Sequence, residues 1–219
     1  MTLLLYGIAD CPPGQVDGVG LHGRPLRGVG ENRLTAIVSE YAQAQSEQTE
    51  NTMWDYERIL ERVMERGTVL PARFPSMLRN EAAALSMLRE RRCEFESAVE
   101  RIRGAVELSV RGAWRAGEEA RPATSPMTGT EYMLDRLRLH QRAREAGRRL
   151  DSLDALARAS RMRVLPNPEV PVAGTYLVDR ERVGKFADLL GEVDEALDQV
   201  DLVCTGPWPP FSFVDGAPV

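Results

Sequence analysis

Ala105-Val106-Glu107-Leu108-Ser109-Val110-Arg111-Gly112-Ala113-Trp114 sets Val106, Leu108 and Val110 on one side of an extended chain and Glu107, Ser109 and Arg111 on the other. Alternation of period two is the mark of a strand with one face on a core. Reading onward, 120–129 is a loop. A long helical stretch then runs to about residue 160, with a seam of Tyr132, Leu139, Ala143, Ala146, Leu150, Leu153 and Ala157. Small residues dominate that seam, so a neighbouring helix can approach closely. Residues 161–165 form a short strand, Pro166-Asn167-Pro168 a turn and 172–178 another strand. Asp179 can cap a helix with the seam Val183, Phe186, Leu190, Val193 and Leu197, and 200–205 closes the set as a strand. Strand, helix, strand, strand, helix, strand is the split βαβ, ferredoxin-like arrangement.

Reading backward from Ala105, a helix is predicted over about 80–103, with Leu85, Leu88, Phe95, Val99 and Ile102 on one stripe that Arg92 interrupts. Before it, Thr68-Val69-Leu70-Pro71-Ala72-Arg73-Phe74-Pro75 is extended. Pro71 lacks a ladder donor, which assigns the segment to a sheet edge or a bulge. Asn51 or Thr52 can cap a helix with the seam Met53, Tyr56, Leu60 and Val63, ending on Gly67 as its C′ residue. Residues 3–9 are an apolar strand stopped by Asp10-Cys11-Pro12-Pro13-Gly14, 14–30 is a glycine-rich loop, and 33–41 is a strand with Leu34, Ala36 and Val38 on one face. The class is therefore α+β in two domains: an N-terminal α+β domain over 1–104, and a modified ferredoxin-like βαββαβ domain with a helical extension over 105–206. A Pro/aromatic tail follows over 207–219.

A chain of 219 residues buries roughly 70% of its unfolded surface, so a real core is expected. Its formal charge of −5, with both signs mixed along the sequence, disfavours nucleic acid as a partner. Cys11, Cys93 and Cys204 are far apart and odd in number, which fits buried thiols in a reducing compartment. The apolar run at the N-terminus is too short for a signal-peptide core, and no later stretch approaches a membrane span, so a cytoplasmic protein is expected.

Gly18-Val19-Gly20-Leu21-His22-Gly23 matches the dinucleotide fingerprint in letters, yet Arg24-Pro25-Leu26-Arg27-Gly28 leads on to more loop where the fingerprint requires a helix. His22 and His140 have no partner at ligand or triad spacing, and the acidic residues read as solvated helix faces. No catalytic residue, cofactor or metal is expected. Arg136, Arg138, Arg142, Arg144, Arg148 and Arg149 form a basic run that suits an acidic partner or RNA, but the stacking-aromatic pattern of an RNA-recognition module is missing. In Thr205-Gly206-Pro207-Trp208-Pro209-Pro210-Phe211-Ser212-Phe213-Val214 three prolines stiffen a backbone that carries three aromatics, each with on the order of 150–250 Å² to bury. Such a tail must dock. A clasp across the chain's own two halves is favoured over a segment offered to a partner.

With these segments in place the chain resembles the GvpF/GvpL family of gas vesicle proteins, nearly end to end. The resemblance is carried by Leu5-Tyr6-Gly7-Ile8, Leu34-Thr35-Ala36-Ile37-Val38-Ser39 and the block Val63 to Phe74, then by Gly129-Thr130-Glu131-Tyr132-Met133-Leu134, Thr175-Tyr176-Leu177-Val178 and the Gly-Pro-Trp-Pro-Pro-Phe-Ser-Phe tail. Two positions depart from the family pattern: Tyr56-Glu57 stands where a His-Glu pair is usual, and Pro75 where a glycine is usual. The resemblance implies an accessory or minor structural protein of gas vesicle formation, without enzyme activity or cofactor. It also implies an N-terminal domain of unusual fold, a modified ferredoxin-like C-terminal domain and a tail packed between them. The expected partners are the small hydrophobic shell protein and other accessory proteins of the system, with no nucleic acid and no membrane. The expected place is the cytoplasm, at the gas vesicle. The residues expected to meet partners are Leu70, Pro71, Arg73 and Phe74 with Trp208, Pro209, Phe211 and Phe213, and the helix seam from Leu139 to Leu153 offers a second contact face. The rival readings are a small-molecule-binding or enzymatic α+β protein and an RNA-binding ferredoxin-like module.

Overall fold

A computed structural model describes residues 2–41, 49–115, 128–165 and 170–214. The chain divides into two compact units, 1–105 with 208–219, and 106–207. The predicted loop at 120–129 and the turn at 166–168 fall largely or wholly outside the described residues.

The first unit is built on a four-stranded sheet in the order β2-β3-β1-β4, with β1 at Leu3–Asp10, β2 at Arg27–Glu31, β3 at Leu34–Glu40 and β4 at Val69–Leu78. β1 and β3 are buried on both faces, so the single apolar face read for β3 is a two-sided core strand. α1 (Glu50–Arg66) packs on β1 and β4, whereas α2 (Glu81–Glu90) and α3 (Arg92–Ile102) reach β2, β3, β1 and β4 between them.

Four details of this unit differ from the sequence reading. β2 lies inside the predicted glycine loop. Its glycines are there for space, since a Cβ on Gly28 would fall 2.5 Å from the Pro13 carbonyl and one on Gly30 would collide with that of Leu34. Asn32, at φ 60°, turns the chain from β2 into β3. Second, the cap of α1 is Thr49, whose hydroxyl accepts from the Thr52 amide at 3.2 Å. Gly67 ends that helix with φ 174°, in extended backbone and not as a left-handed C′. Third, the buried stripe is Tyr56, Ile59, Leu60 and Met64, and Met53 is exposed. Fourth, the helix predicted over 80–103 breaks at Arg91 (φ −110°, ψ 21°), whose guanidinium sits 4.7 Å above the Phe95 ring and hydrogen-bonds Glu94.

Asp10, at the end of β1, takes Arg33 from the β2–β3 hairpin at 2.9 Å and Arg103 from the end of α3. The Arg33 hydrogen bond, aided by Arg103, holds the carboxyl below its ordinary value. A depressed folded-state value means that the stabilisation is present above about pH 4 and is lost as pH falls through the folded value. Acid denaturation followed by circular dichroism should therefore show a component below about pH 4 that the Asp10→Asn variant lacks.

The second unit carries β5 (Ala105–Trp114), α4 (Gly129–Leu150), β6 (Ala157–Val164), β7 (Val172–Asp179), α5 (Val183–Glu195) and β8 (Val200–Trp208). Its antiparallel sheet runs β6-β7-β5-β8, the order that split βαβ connections produce. The helix read as running to about 160 ends at Leu150. A 3-10 segment follows over Asp151–Leu156, and β6 begins at Ala157. α4 packs on β6 and β7 as well as on α5, and a Cβ on Gly147 would meet Val164 at 3.1 Å, so the small seam residues fit a sheet as much as a helix. Asp179 precedes a 3-10 turn over Arg180–Arg182 that leads into α5, makes no side-chain cap to that turn, and pairs with Arg158 and Arg182.

The core of this unit includes Leu108, Val110, Leu139, Leu150, Val172, Tyr176, Phe186 and Val200. The Tyr176 hydroxyl is buried there with no hydrogen-bond partner among the described residues. A desolvated hydroxyl without a partner costs stability, so Tyr176→Phe should leave the protein as stable or raise its stability by up to about 1 kcal/mol in urea denaturation. Among the three cysteines, Cys93 and Cys204 are exposed and Cys11 is half-buried, against the expectation of buried thiols.

Candidate functional site

The edge strand β4 is irregular where the sequence block singled out above lies. Leu5 faces Ser76 and Gly7 faces Pro71, so Ala72, Arg73, Phe74 and Pro75 together stand opposite Tyr6 alone. A bulge of this size breaks the ladder and turns side chains out of the sheet. The Ser76 hydroxyl donates to the Arg73 carbonyl at 2.6 Å across its base. The same place in β1 is a bulge against β3.

Tyr56 of α1 fills the gap. Its hydroxyl lies 2.9 Å from the Ala72 carbonyl, 3.1 Å from that of Tyr6 and 3.3 Å from that of Leu5, acceptors that a regular ladder would satisfy from the backbone. Burial pushes its pKa far up, so it stays a donor. Its ring stacks on Tyr6 at 5.3 Å and meets Phe74 at 5.0 Å. The Tyr6 hydroxyl in turn lies 3.0 Å from the Ser39 hydroxyl and accepts from the Leu21 amide at 2.8 Å. This tyrosine column was missed as a unit in the sequence, because its members are 50 residues apart; the departure at Tyr56 was its only local sign.

The tail ends on this edge. After β8, Pro209 and Pro210 are buried and the 3-10 turn Phe211–Phe213 packs against β4. Arg101 of α3 donates to the Phe213 carbonyl at 3.0 Å. The residues expected to meet partners thus divide. Leu70, Pro71, Pro209 and Phe213 are buried. Phe74 and Trp208 are half-buried, while Arg73 and Phe211 are exposed. β4 and the closing turn come together, and Pro75 and Met77 are exposed on the same strand. The second expected face, the seam from Leu139 to Leu153, is buried in the core of the second unit.

The glycine fingerprint at 18–23 holds a bridge from Val19 to Pro25 and a 3-10 turn that leads into β2, with no helix to receive a pyrophosphate. His22 lies against Tyr41 at 5.9 Å, and no group of three metal-ligating side chains occurs among the described residues. A cavity of about 200 Å³ lies between the 15–19 loop and α1, lined by Ile37, Ile59 and Val63 with Arg62 and Arg66. Arg62 and Arg66 there are bonded to the Val19 carbonyl and to Asp17. No helix of the described chain is long and apolar enough to cross a membrane.

Comparison with known proteins adds three findings. The family profile described as gas vesicle synthesis protein GvpL/GvpF matches residues 2–215. Gas vesicle protein F1 of Halobacterium salinarum is 24% identical over 98% of this chain and 93% of its own length, and gas vesicle protein F of a Streptomyces species is 25% identical over 98% and 100%. Among solved structures, the gas vesicle protein GvpF of Anabaena superposes with a TM-score of 0.84 at 20% identity over 98% of both chains. That of Microcystis aeruginosa gives 0.81 at 18% identity, over 98% of this chain and 99% of its own.

Proposed function

Because the chain belongs to the GvpL/GvpF family of gas vesicle synthesis proteins, we propose that it is a protein-binding factor of vesicle assembly, or a minor component of the shell. In this reading it covers the small hydrophobic shell protein and contacts other accessory proteins at the vesicle in the cytoplasm. Family membership supports the role in gas vesicle formation. The contact itself rests on one observation: the bulged edge strand β4 carries Arg73, Phe74, Pro75 and Met77 exposed or half-buried, and the closing turn that packs against this strand carries exposed Phe211. A shell protein that needs apolar surface on its gas side would aggregate before assembly, and such an edge can shield it. Neither a nucleotide nor a metal enters this reading, and the protein acts without turnover.

The test is a pull-down of the purified chain against co-expressed shell protein and the other products of the vesicle cluster, repeated with Phe74→Ala and Phe211→Ala together and with Trp208→Ala. Anchors of this kind cost 1–4 kcal/mol when truncated, so capture of the shell protein should drop about tenfold or more while the circular dichroism spectrum is kept. Undiminished capture by the folded variants would place the contact elsewhere.

A further inference from the structure

The first turns of α4 stand clear of the core. From 129 to 138 every residue is exposed except Asp135, which is half-buried, and the first buried side chain is Leu139. Tyr132 is in phase with Leu139, Ala143, Ala146 and Leu150, yet it is 52% exposed. Met133 (67%), Leu134 (47%) and Leu137 (52%) point to other sides of the same turns. A capping box holds this end, with the Thr128 and Glu131 side chains each bonded to the other's backbone. The helix is thus deliberately started ten residues before it has a core to rest on. Four large apolar side chains within two turns form a larger exposed group than isolated surface residues do.

Charge on the helix says what the group faces. Along α4 there are six arginines, Arg136, Arg138, Arg142, Arg144, Arg148 and Arg149, against Glu131, Asp135 and Glu145, in a chain of formal charge −5. At 3.6 residues per turn, Met133 and Leu137 continue along the outward face into Arg144 and Arg148. Arg138 is paired with Asp135, and Arg148 shares Glu145 with Arg149, while Arg144 makes no ion pair among the described residues.

We propose that the outward face of α4 is a docking ridge for an acidic amphipathic helix of a partner protein, whose apolar residues pack on Met133 and Leu137 and whose carboxylates lie along Arg144 and Arg148. A second copy of this chain is disfavoured, since two basic ridges would repel each other. A flat anionic membrane is disfavoured too, because a chain of formal charge −5 is repelled by an extended anionic surface. This surface lies in the second unit and does not depend on the β4 strip of the preceding section.

The probe is a synthetic helical peptide with leucine at i, i+3, i+4 spacing and glutamate on its flanks, read by fluorescence anisotropy against the whole chain. A counterpart with lysine for glutamate serves as control. The glutamate peptide should bind, more weakly at high salt, and the lysine peptide at least about tenfold worse. Leu137→Glu and the pair Arg144→Glu with Arg148→Glu are surface changes that spare the fold. Each should weaken the glutamate peptide by about tenfold. Equal affinity for both peptides, or unchanged affinity in both variants, overturns the proposal. So does a dimer in light scattering that Leu137→Glu disperses, or recruitment to phosphatidylglycerol vesicles that exceeds peptide binding.

Discussion

Tyr56→Phe is expected to destabilise the first unit by about 1–3 kcal/mol, with loss of protection at the amides of β4 and the middle of β1 in native-state hydrogen exchange. The change keeps the ring and its stacks on Tyr6 and Phe74, and removes only the hydroxyl. What is lost is the donor nearest to the Ala72, Tyr6 and Leu5 carbonyls, which lie in a place where the ladder has already been broken by four residues standing opposite one. Buried carbonyls left without a partner carry the full desolvation cost, which is larger than the net worth of the bond. Tyr56→Ala removes the stack as well and should cost about 3–5 kcal/mol. If Tyr56→Phe matched the parent in urea and in exchange, water would be satisfying the bulge and the tyrosine would be a packing residue only.

The opposite sign expected for Tyr176→Phe shows why these two residues differ. Both are buried tyrosines facing an aromatic neighbour, Phe74 in one unit and Phe186 in the other. One hydroxyl meets a carbonyl cluster made by a bulge and the other has no hydrogen-bond partner among the described residues. The value of a buried polar group lies in its partners and not in its depth.

How far the sequence could be read follows from the range of the interactions involved. The strand and helix order of the second unit was legible because each element's apolar period is local: Val106, Leu108 and Val110 on β5, and Phe186, Leu190 and Val193 on α5. The edge position of β4 followed from Pro71, since a missing donor is also local. β2 was hidden, for its glycines answer to Pro13 and Leu34 across space and look like loop in the sequence alone. The start of β6 was hidden by residues 151–157, whose apolar spacing continues the helical seam although the chain has already turned to 3-10 geometry. As to the candidate site, the aromatic tail could be singled out by composition and the block at 70–74 through the resemblance to the family. Which of their side chains face outward could not, because that depends on a register slip between β1 and β4. The seam of α4 shows the same limit: Leu139 to Leu153 reads as a contact face and is core, while the exposed apolar residues sit in the turns before Leu139.

Phe213→Ala should be the most damaging single change in the tail, at about 3–5 kcal/mol, whereas Phe211→Ala two residues away should fall within about 0.5 kcal/mol. The two rings belong to one turn, but Phe213 is 5% exposed and Phe211 is 36% exposed. Removal of Phe213 would leave a void beside β4, where the turn packs, and loosen the carbonyl that Arg101 holds at 3.0 Å. Urea denaturation of both variants, with hydrogen exchange at β4 and α3, measures the difference. The comparison also governs how any loss of partner binding is interpreted. A tail variant that fails to bind because the first unit has opened says nothing of contact, and Phe213→Ala is expected to fail in this way. Phe211→Ala keeps the unit closed and removes exposed ring surface, so binding lost in that variant alone would assign the strip to a partner. If instead the two variants were equally stable, the closing turn would not be part of the first unit's core, and the tail would be free to serve as an offered segment.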